Sequence, residues 1–242
     1  MKQKIKVGMP HLNYNGLDPV WLLKTSGDGH WSMLKNIKSF NENNQRLYAS
    51  FFACEIDYNK GQDHFVENEE ISLESKILKF NNQIYRSVHS VIGNQNVATL
   101  TMDSIFVKKD MTSGALVKDE PVNSDNNIQT VNTVFLEEHK KMKKELATLN
   151  IEKFNKLAFS PEMYFNGVKI LYFANYINLS LLNEYVTFGK ILNPIKKVKV
   201  FFFKNISEDD VVYGYTKNIN NEYHTILMCN NKPISLCINI RD

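Results

Sequence analysis

From Arg46 to Tyr58 the chain reads RLYASFFACEIDY, and its apolar positions recur at every second residue. Drawn as a strand, the segment places Tyr48, Ser50, Phe52, Cys54 and Ile56 on one face. EISLESKILKF, QIYRSVHSVIG and VATLTMDSIFVKK have the same strand character, and the joins NNQ and GNQN carry hairpin chemistry. An antiparallel meander of four strands is predicted. Ahead of it the pattern is helical. Asp18 followed by Pro19 makes an N-cap and first-turn pair, so a short helix is predicted to about Lys24. Gly27 and Gly29, in SGDGHW, interrupt it. A second helix is predicted from about His30, with Trp31, Leu34 and Ile37 on one stripe.

The second half repeats this plan. SPEMYFNGVKILYFANYINLSLLNEYVTF is a helical stretch that starts at a glycine, and IKKVKVFFFKNI, DDVVYGYTKNI, EYHTILMCN and PISLCINIR follow as strands. An internal duplication accounts for the order. The boundaries predicted are a first unit over 1–110, a linker over 111–150 and a second unit over 151–242. The linker begins polar, then places Phe135, His139, Met142 and Leu146 on the stripe of an amphipathic helix. Lys140, Lys141, Lys143 and Lys144 lie on what reads as its solvated face. A helix wrapped by an antiparallel sheet is an α+β unit. It leaves one sheet edge open, and two units side by side remove that edge by sharing one continuous sheet. That is the logic of a double hot-dog fold.

Composition changes little. The chain has 242 residues, 43% hydrophobic, 23% charged and 12% aromatic, with a net charge of +3. The basic residues are scattered among acids, which argues against nucleic acid. The apolar run ILYFANYINLSLL is too short to span a membrane and is broken by asparagines. No targeting segment is visible at the start. Cys54, Cys229 and Cys237 form no CxxC pair and read as buried thiols in a cytoplasmic protein. No metal-ligand spacing, Walker loop or GxGxxG occurs, so neither a metal nor a cofactor is expected.

The blocks MPHLNYNGLDPVWLLKTSGDGHWSML, RLYASFFACE and FNGVKILYFANY, in this order, resemble the double hot-dog acyltransferase/decarboxylase family of polyketide biosynthesis, the type found in the leinamycin pathway. The resemblance spans most of the chain and is weakest in the linker. It implies a cofactor-free enzyme that decarboxylates methylmalonyl-CoA, an acyl-CoA substrate, and passes the acyl group to an acyl carrier protein. It implies no nucleic acid or membrane partner and leaves room for a homodimer. It also implies an essential tyrosine, matched here by Tyr48.

Given that resemblance, SGDGHW is read as a helix start that approaches a ligand, or else as a plain turn. In the first reading the peptide N–H of Gly29 or His30 faces an enolate oxygen, and His30 binds a carboxylate or moves a proton; otherwise His30 is a buried core histidine. Asp28 reads as an N-cap. Asn166 and Gly167 stand at the matching place in the second half, as substrate contacts or as a helix cap. Tyr172 reads as core and Arg46 as a surface residue or a phosphate contact. Lys197 and Lys204 are candidates for phosphate at a tunnel mouth between the units. The competing readings are a hot-dog thioesterase or dehydratase, for which Asp28 and His30 supply the carboxylate and the histidine, and a non-catalytic acyl-binding module.

Overall fold

The computed structural model of the chain describes residues 1–34, 40–94, 96–110, 116–122, 128–149, 151, 154–167 and 169–241. The first unit holds β1 (Lys2–Lys6), a small hairpin of β2 (Leu12–Asn13) and β3 (Gly16–Leu17), helix α1 (Pro19–Leu34), and the meander β4 (Tyr48–Asp57), β5 (Glu70–Lys79), β6 (Ile84–Ile92) and β7 (Val97–Lys109). Strand β8 (Leu116–Lys118) and helix α2 (Leu136–Ala147) lie in the connection. The second unit holds β9 (Asn155–Leu157), a short α3 (Pro161–Tyr164), helix α4 (Asn175–Phe188), and β10 (Ile195–Phe202), β11 (Val212–Ile219), β12 (Glu222–Cys229) and β13 (Lys232–Arg241).

Eleven strands make one sheet in the order β1-β5-β6-β7-β4-β10-β13-β12-β11-β9, with β8 paired to β7. The order is mirrored about β4–β10. On each side the first strand of a meander lies at the centre, followed outward by the fourth, third and second, with a short strand at the edge. The central ladder runs from Lys197 opposite Asp57 to Phe201 opposite Ala53. The two units thus share one continuous sheet, and the fold is a double hot-dog. At one outer edge β1 carries Lys2 and Lys4, ion-paired to Glu74 and Glu70, and lysines on an edge discourage pairing with another chain.

Helices α1 and α4 cover one face. Leu22 and Leu23 of α1, Ile177 and Leu179 of α4, and Leu100 and Val200 of the sheet belong to a single apolar cluster that crosses both units. Each such fully buried side chain contributes ~1.5–3 kcal/mol. Helix α2 covers the other face at the seam, where Met142 and Leu146 pack over Phe52, Phe201 and Leu236. Its approach is fixed by polar contacts. The Phe135 N–H donates to Asp103, which also pairs with Arg86 at 2.6 and 2.7 Å, and His139 Nε2 donates to the Phe202 carbonyl.

Three sequence expectations change. SGDGHW does not break the helix: α1 is continuous from Pro19 to Leu34. Each interior glycine costs ~1 kcal/mol against alanine, and the buried face through Leu22, Leu23, Ser26 and His30 outweighs that cost. The continuation of the stripe through Ile37 lies outside the described residues. In the second unit the helix begins at Asn175 rather than beside Gly167. Phe165 is instead bridged to Leu171, and the Asn166 side chain accepts from the Ile170 N–H. Asparagine favours such local bonds over helix. In β4 the alternation is interrupted by a bulge between Phe51 and Ala53. Phe51 therefore joins the core under α1, Phe52 the core under α2, and Cys54 and Ile56 return to the α1 side.

Candidate active site

His30 is fully buried under α1, and both ring nitrogens are occupied. Ser104 Oγ lies 2.8 Å from His30 Nε2, and His30 Nδ1 lies 2.7 Å from Ser87 Oγ. Ser87 Oγ is also 2.8 Å from His89 Nε2, and His89 Nδ1 is 2.8 Å from Ser75 Oγ. The five side chains form one hydrogen-bonded chain across β5, β6 and β7. Burial pushes His30 down to about 3, helped by His89. Burial also pushes His89 down to about 4, helped by the positive amino terminus. Both rings are neutral at pH 7. A neutral imidazole has one donor and one acceptor, and the Ser87 hydroxyl has one proton to give, so at most one of the two rings accepts from Ser87 and at least one donates to it.

Gly29 lies in the middle of α1, where a Cβ would meet Met1 Cε at 3.0 Å and His89 Cε1 at 3.5 Å. Gly27, two residues nearer the helix start, faces the Phe173 ring, and a Cβ there would stand 2.7 Å from Cζ. The two glycines let β1, β6 and the second unit approach the helix closely. Tyr48 is exposed at the head of β4, under the Arg46 guanidinium at 5.3 Å. Three residues earlier than Phe51, which touches His30, it points to the opposite face of the sheet. Asn166 and Gly167 sit in the loop before α4. The five predicted site residues are therefore not brought together. Lys197 is engaged by Asp57 at 3.0 Å and Glu55 at 3.6 Å. The Lys204 carbonyl accepts from the Tyr176 hydroxyl.

What does come together is the seam between the helices. The segment Tyr172–Phe173, just ahead of α4, packs on the middle of α1. The Phe173 ring centroid is 4.6 Å from Phe51 and 5.9 Å from Trp31. Lys24 Nζ lies 6.0 Å from the Tyr172 ring, and Asp28 stands exposed on the same helix within electrostatic reach of the Tyr172 hydroxyl. Burial, and secondarily Asp28, pushes that hydroxyl up to about 12, so it is a neutral donor. The Asn175 N–H donates to the Tyr172 carbonyl. Among the described residues the N–H groups of Phe173 and Ala174 have no acceptor. Free N–H groups at a helix start, aligned with its dipole, favour a developing negative charge. At the start of α1 that role is closed, because the Asp18 carboxylate accepts from the Val20 and Trp21 N–H groups.

The second unit has its own buried polar cluster. The buried run Tyr176, Ile177, Ser180, Asn183, Glu184 on α4 repeats the spacing of Leu22, Leu23, Ser26, Gly29, His30 on α1. Glu184 thus stands where His30 stands in the first unit. It accepts from Asn239 and from Arg241 at 2.6 Å. Burial raises its carboxyl above the ordinary value, against the lowering effect of Arg241 and Asn239. A cavity of about 200 Å³ opens beside this pair. Sequence reasoning named neither Glu184 nor Arg241. The available signal was a charged residue on the buried stripe of an apolar helix, which demands a partner.

No protein-family model matches this chain, and no curated protein sequence does. Solved structures do. The chain is similar to the 12:0-ACP thioesterase of Umbellularia californica, with a TM-score of 0.70 at 7% identity, over 99% of this chain and 96% of that one. An acyl-ACP thioesterase of Bacteroides thetaiotaomicron gives 0.66 at 9% identity, over 99% and 96%. A MaoC-like dehydratase of Phytophthora capsici gives 0.50 at 8%, over 80% and 72%. At such identities the likeness is one of fold.

Proposed function

We propose that this protein acts on acyl thioesters and hydrolyses them at the seam between α1 and α4. The observation that carries the reading is a carboxylate on one helix, Asp28, within electrostatic reach of Tyr172, the residue directly before the acceptor-free N–H groups at the start of the other. The full-length fold likeness to acyl-ACP thioesterases supports it. A thioester carbonyl oriented toward Phe173 and Ala174 would be polarised by their N–H groups. Asp28 takes a proton from a water molecule, whose oxygen bonds to the carbonyl carbon. The resulting oxyanion is held by the two N–H groups, each contributing ~3–4 kcal/mol in comparable sites. Collapse breaks the carbon–sulfur bond, and the proton passes from Asp28 to the thiolate. The neutral Tyr172 hydroxyl offers a further donor to the acyl group. The gain over water comes from oriented donors and a held base.

Decarboxylation of a malonyl-type CoA with transfer to an acyl carrier protein is the second reading. The Arg46 guanidinium over the exposed Tyr48 ring favours it, because a guanidinium can hold the substrate carboxylate beside the phenol. One assay separates the two. Thiol release is followed with a chromogenic reagent on acyl-CoA and acyl carrier protein thioesters of increasing chain length, and CO2 release is followed on labelled methylmalonyl-CoA. Hydrolysis at the seam requires thiol release that falls ~100-fold or more in Asp28→Asn and is unchanged in Tyr48→Phe. Full activity in Asp28→Asn, or CO2 release lost only in Tyr48→Phe, would overturn the hydrolase reading.

A further inference from the structure

We infer that the Phe173 side chain sets the length limit of the acyl group at the seam, so that the thioester taken carries a short chain, acetyl to butyryl. The inference rests on the hydrolase reading and names its substrate class. The backbone and the side chain of Phe173 do different things. Its N–H, without an acceptor among the described residues, is one of the two proposed oxyanion donors. Its ring spans the gap from the start of α4 to the middle of α1. The ring tip comes so close to the α1 backbone that a Cβ on Gly27 would stand 2.7 Å from Cζ and 3.2 Å from Cε1. On the sheet side lie Phe51 of β4, at 4.6 Å between ring centroids, and Phe202 of β10, at 6.5 Å. Trp31 stands at 5.9 Å and Tyr172 at 4.7 Å.

That arrangement decides where an acyl chain can go. A carbonyl held by the Phe173 and Ala174 N–H groups sits at the seam, and the apolar floor beneath the seam is the β4–β10 ladder, where Val200 lies opposite Cys54. A long chain would reach that floor by passing between α1 and α4, where the Phe173 ring already stands. Packed interiors leave few voids larger than a water molecule, and Gly27 has no side chain left to give up. A methylene that enters strengthens binding about fourfold, whereas one that stays in water adds nothing. Carbons beyond the length that fits above the ring therefore bring no gain. Phe173 is half-buried, so its ring stands at the entrance to the seam. Truncating the side chain makes room for about four methylenes and keeps the backbone donor.

The test uses the full chain and measures kcat/KM for acetyl-, butyryl-, hexanoyl- and octanoyl-CoA by thiol release. The readout is the ratio of octanoyl to butyryl, which a merely structural role would not move, because loss of fold lowers both together. In the wild type the ratio should be ~0.1 or less, and Phe173→Ala should raise it ~10-fold or more. Ketone analogues, in which a methylene replaces the thioester sulfur, are titrated by calorimetry. The octanoyl analogue should bind Phe173→Ala ~10-fold more tightly than the wild type. Phe51→Leu opens the same space from the sheet side, leaves residue 173 intact and should move the ratio the same way. It carries the test if circular dichroism shows Phe173→Ala to be unfolded. A wild type that hydrolyses octanoyl-CoA as well as butyryl-CoA, or a ratio unmoved in the folded variants, would overturn the length limit and leave the hydrolase reading in place. Absence of thiol release at every chain length would overturn the hydrolase reading, and the length limit with it.

Discussion

The buried histidine chain makes the protein sensitive to mild acid, and the effect can be worked out from the structure. His30 and His89 are held neutral with folded-state values of about 3 and about 4. An unfolded histidine titrates near 6.5. Between pH 6.5 and about 4 the unfolded chain therefore binds two protons that the folded chain refuses. Stability from these groups is complete above pH 6.5 and is lost as the pH falls. Each contributes a slope of ~1.4 kcal/mol per pH unit, about 2.7 for the pair. From pH 7 to pH 5 the loss comes to ~4 kcal/mol, a large part of an ordinary domain's 5–15. Glu184 and Asp18, raised by burial, act with the opposite sign above the ordinary carboxylate range, so the histidine contribution is isolated by variants. Urea unfolding at pH 7, 6 and 5 measures the slope, and His89→Gln and His30→Gln should each roughly halve it. A wild-type stability that is flat between pH 7 and 5, or slopes that the variants leave unchanged, would mean that the rings are not held neutral.

Ser87→Ala should cost ~2–4 kcal/mol, because it leaves a nitrogen of each buried ring unpaired. Ser26→Ala, which removes a buried hydroxyl without a partner among the described residues, should be neutral or stabilising, and thermal melts compare the two. Gly27→Ala should destabilise by ~1 kcal/mol or more, since overpacking against the Phe173 ring exceeds the gain in helix propensity. Gly29→Ala should be close to neutral, because its nearest neighbour is the movable end of Met1. A stabilised Gly27→Ala in chemical denaturation would remove the close approach of Phe173 from the account.

The repeat of helix and four strands was legible because its signals are local. Alternation at every second residue in segments such as VATLTMDSIFVKK, and hairpin residues between them, report a structure whose period is two and whose turns are short. The amphipathic stripe of α2 was legible for the same reason. The bulge at Phe51–Ala53 was not, since the choice of which aromatic faces which core depends on helices lying on both sides of the sheet. Strands β1, β8 and β9 are short and lie on or beside the sheet margins, and short edge strands carry little apolar pattern. The helix break expected at SGDGHW shows the limit most directly. Two glycines bias a segment by only a kcal/mol or so each, and packing against Phe173 and His89 overrode that bias.

The candidate site divides in the same way. Asp28 and His30 could be marked as candidate chemical side chains from their types and neighbours along the chain, whereas Tyr172 read as core. Their roles could not, because each depends on a residue far off in sequence. His30 meets Ser87 and Ser104 only because α1 lies across β6 and β7. Asp28 meets Tyr172 only because β4 pairs with β10 and draws the second helix against the first. The sequence by itself determined the two four-strand meanders, helix α2 and the repeated order, through short-range periodicity and turn chemistry. The tertiary structure alone decided which glycine gives room to an aromatic ring, which histidine is sealed between serines, and which carboxylate comes within electrostatic reach of Tyr172. Those outcomes follow from burial, from the need to pair every buried polar atom, and from the join of two sheets, and none of these is a property of a local window of residues.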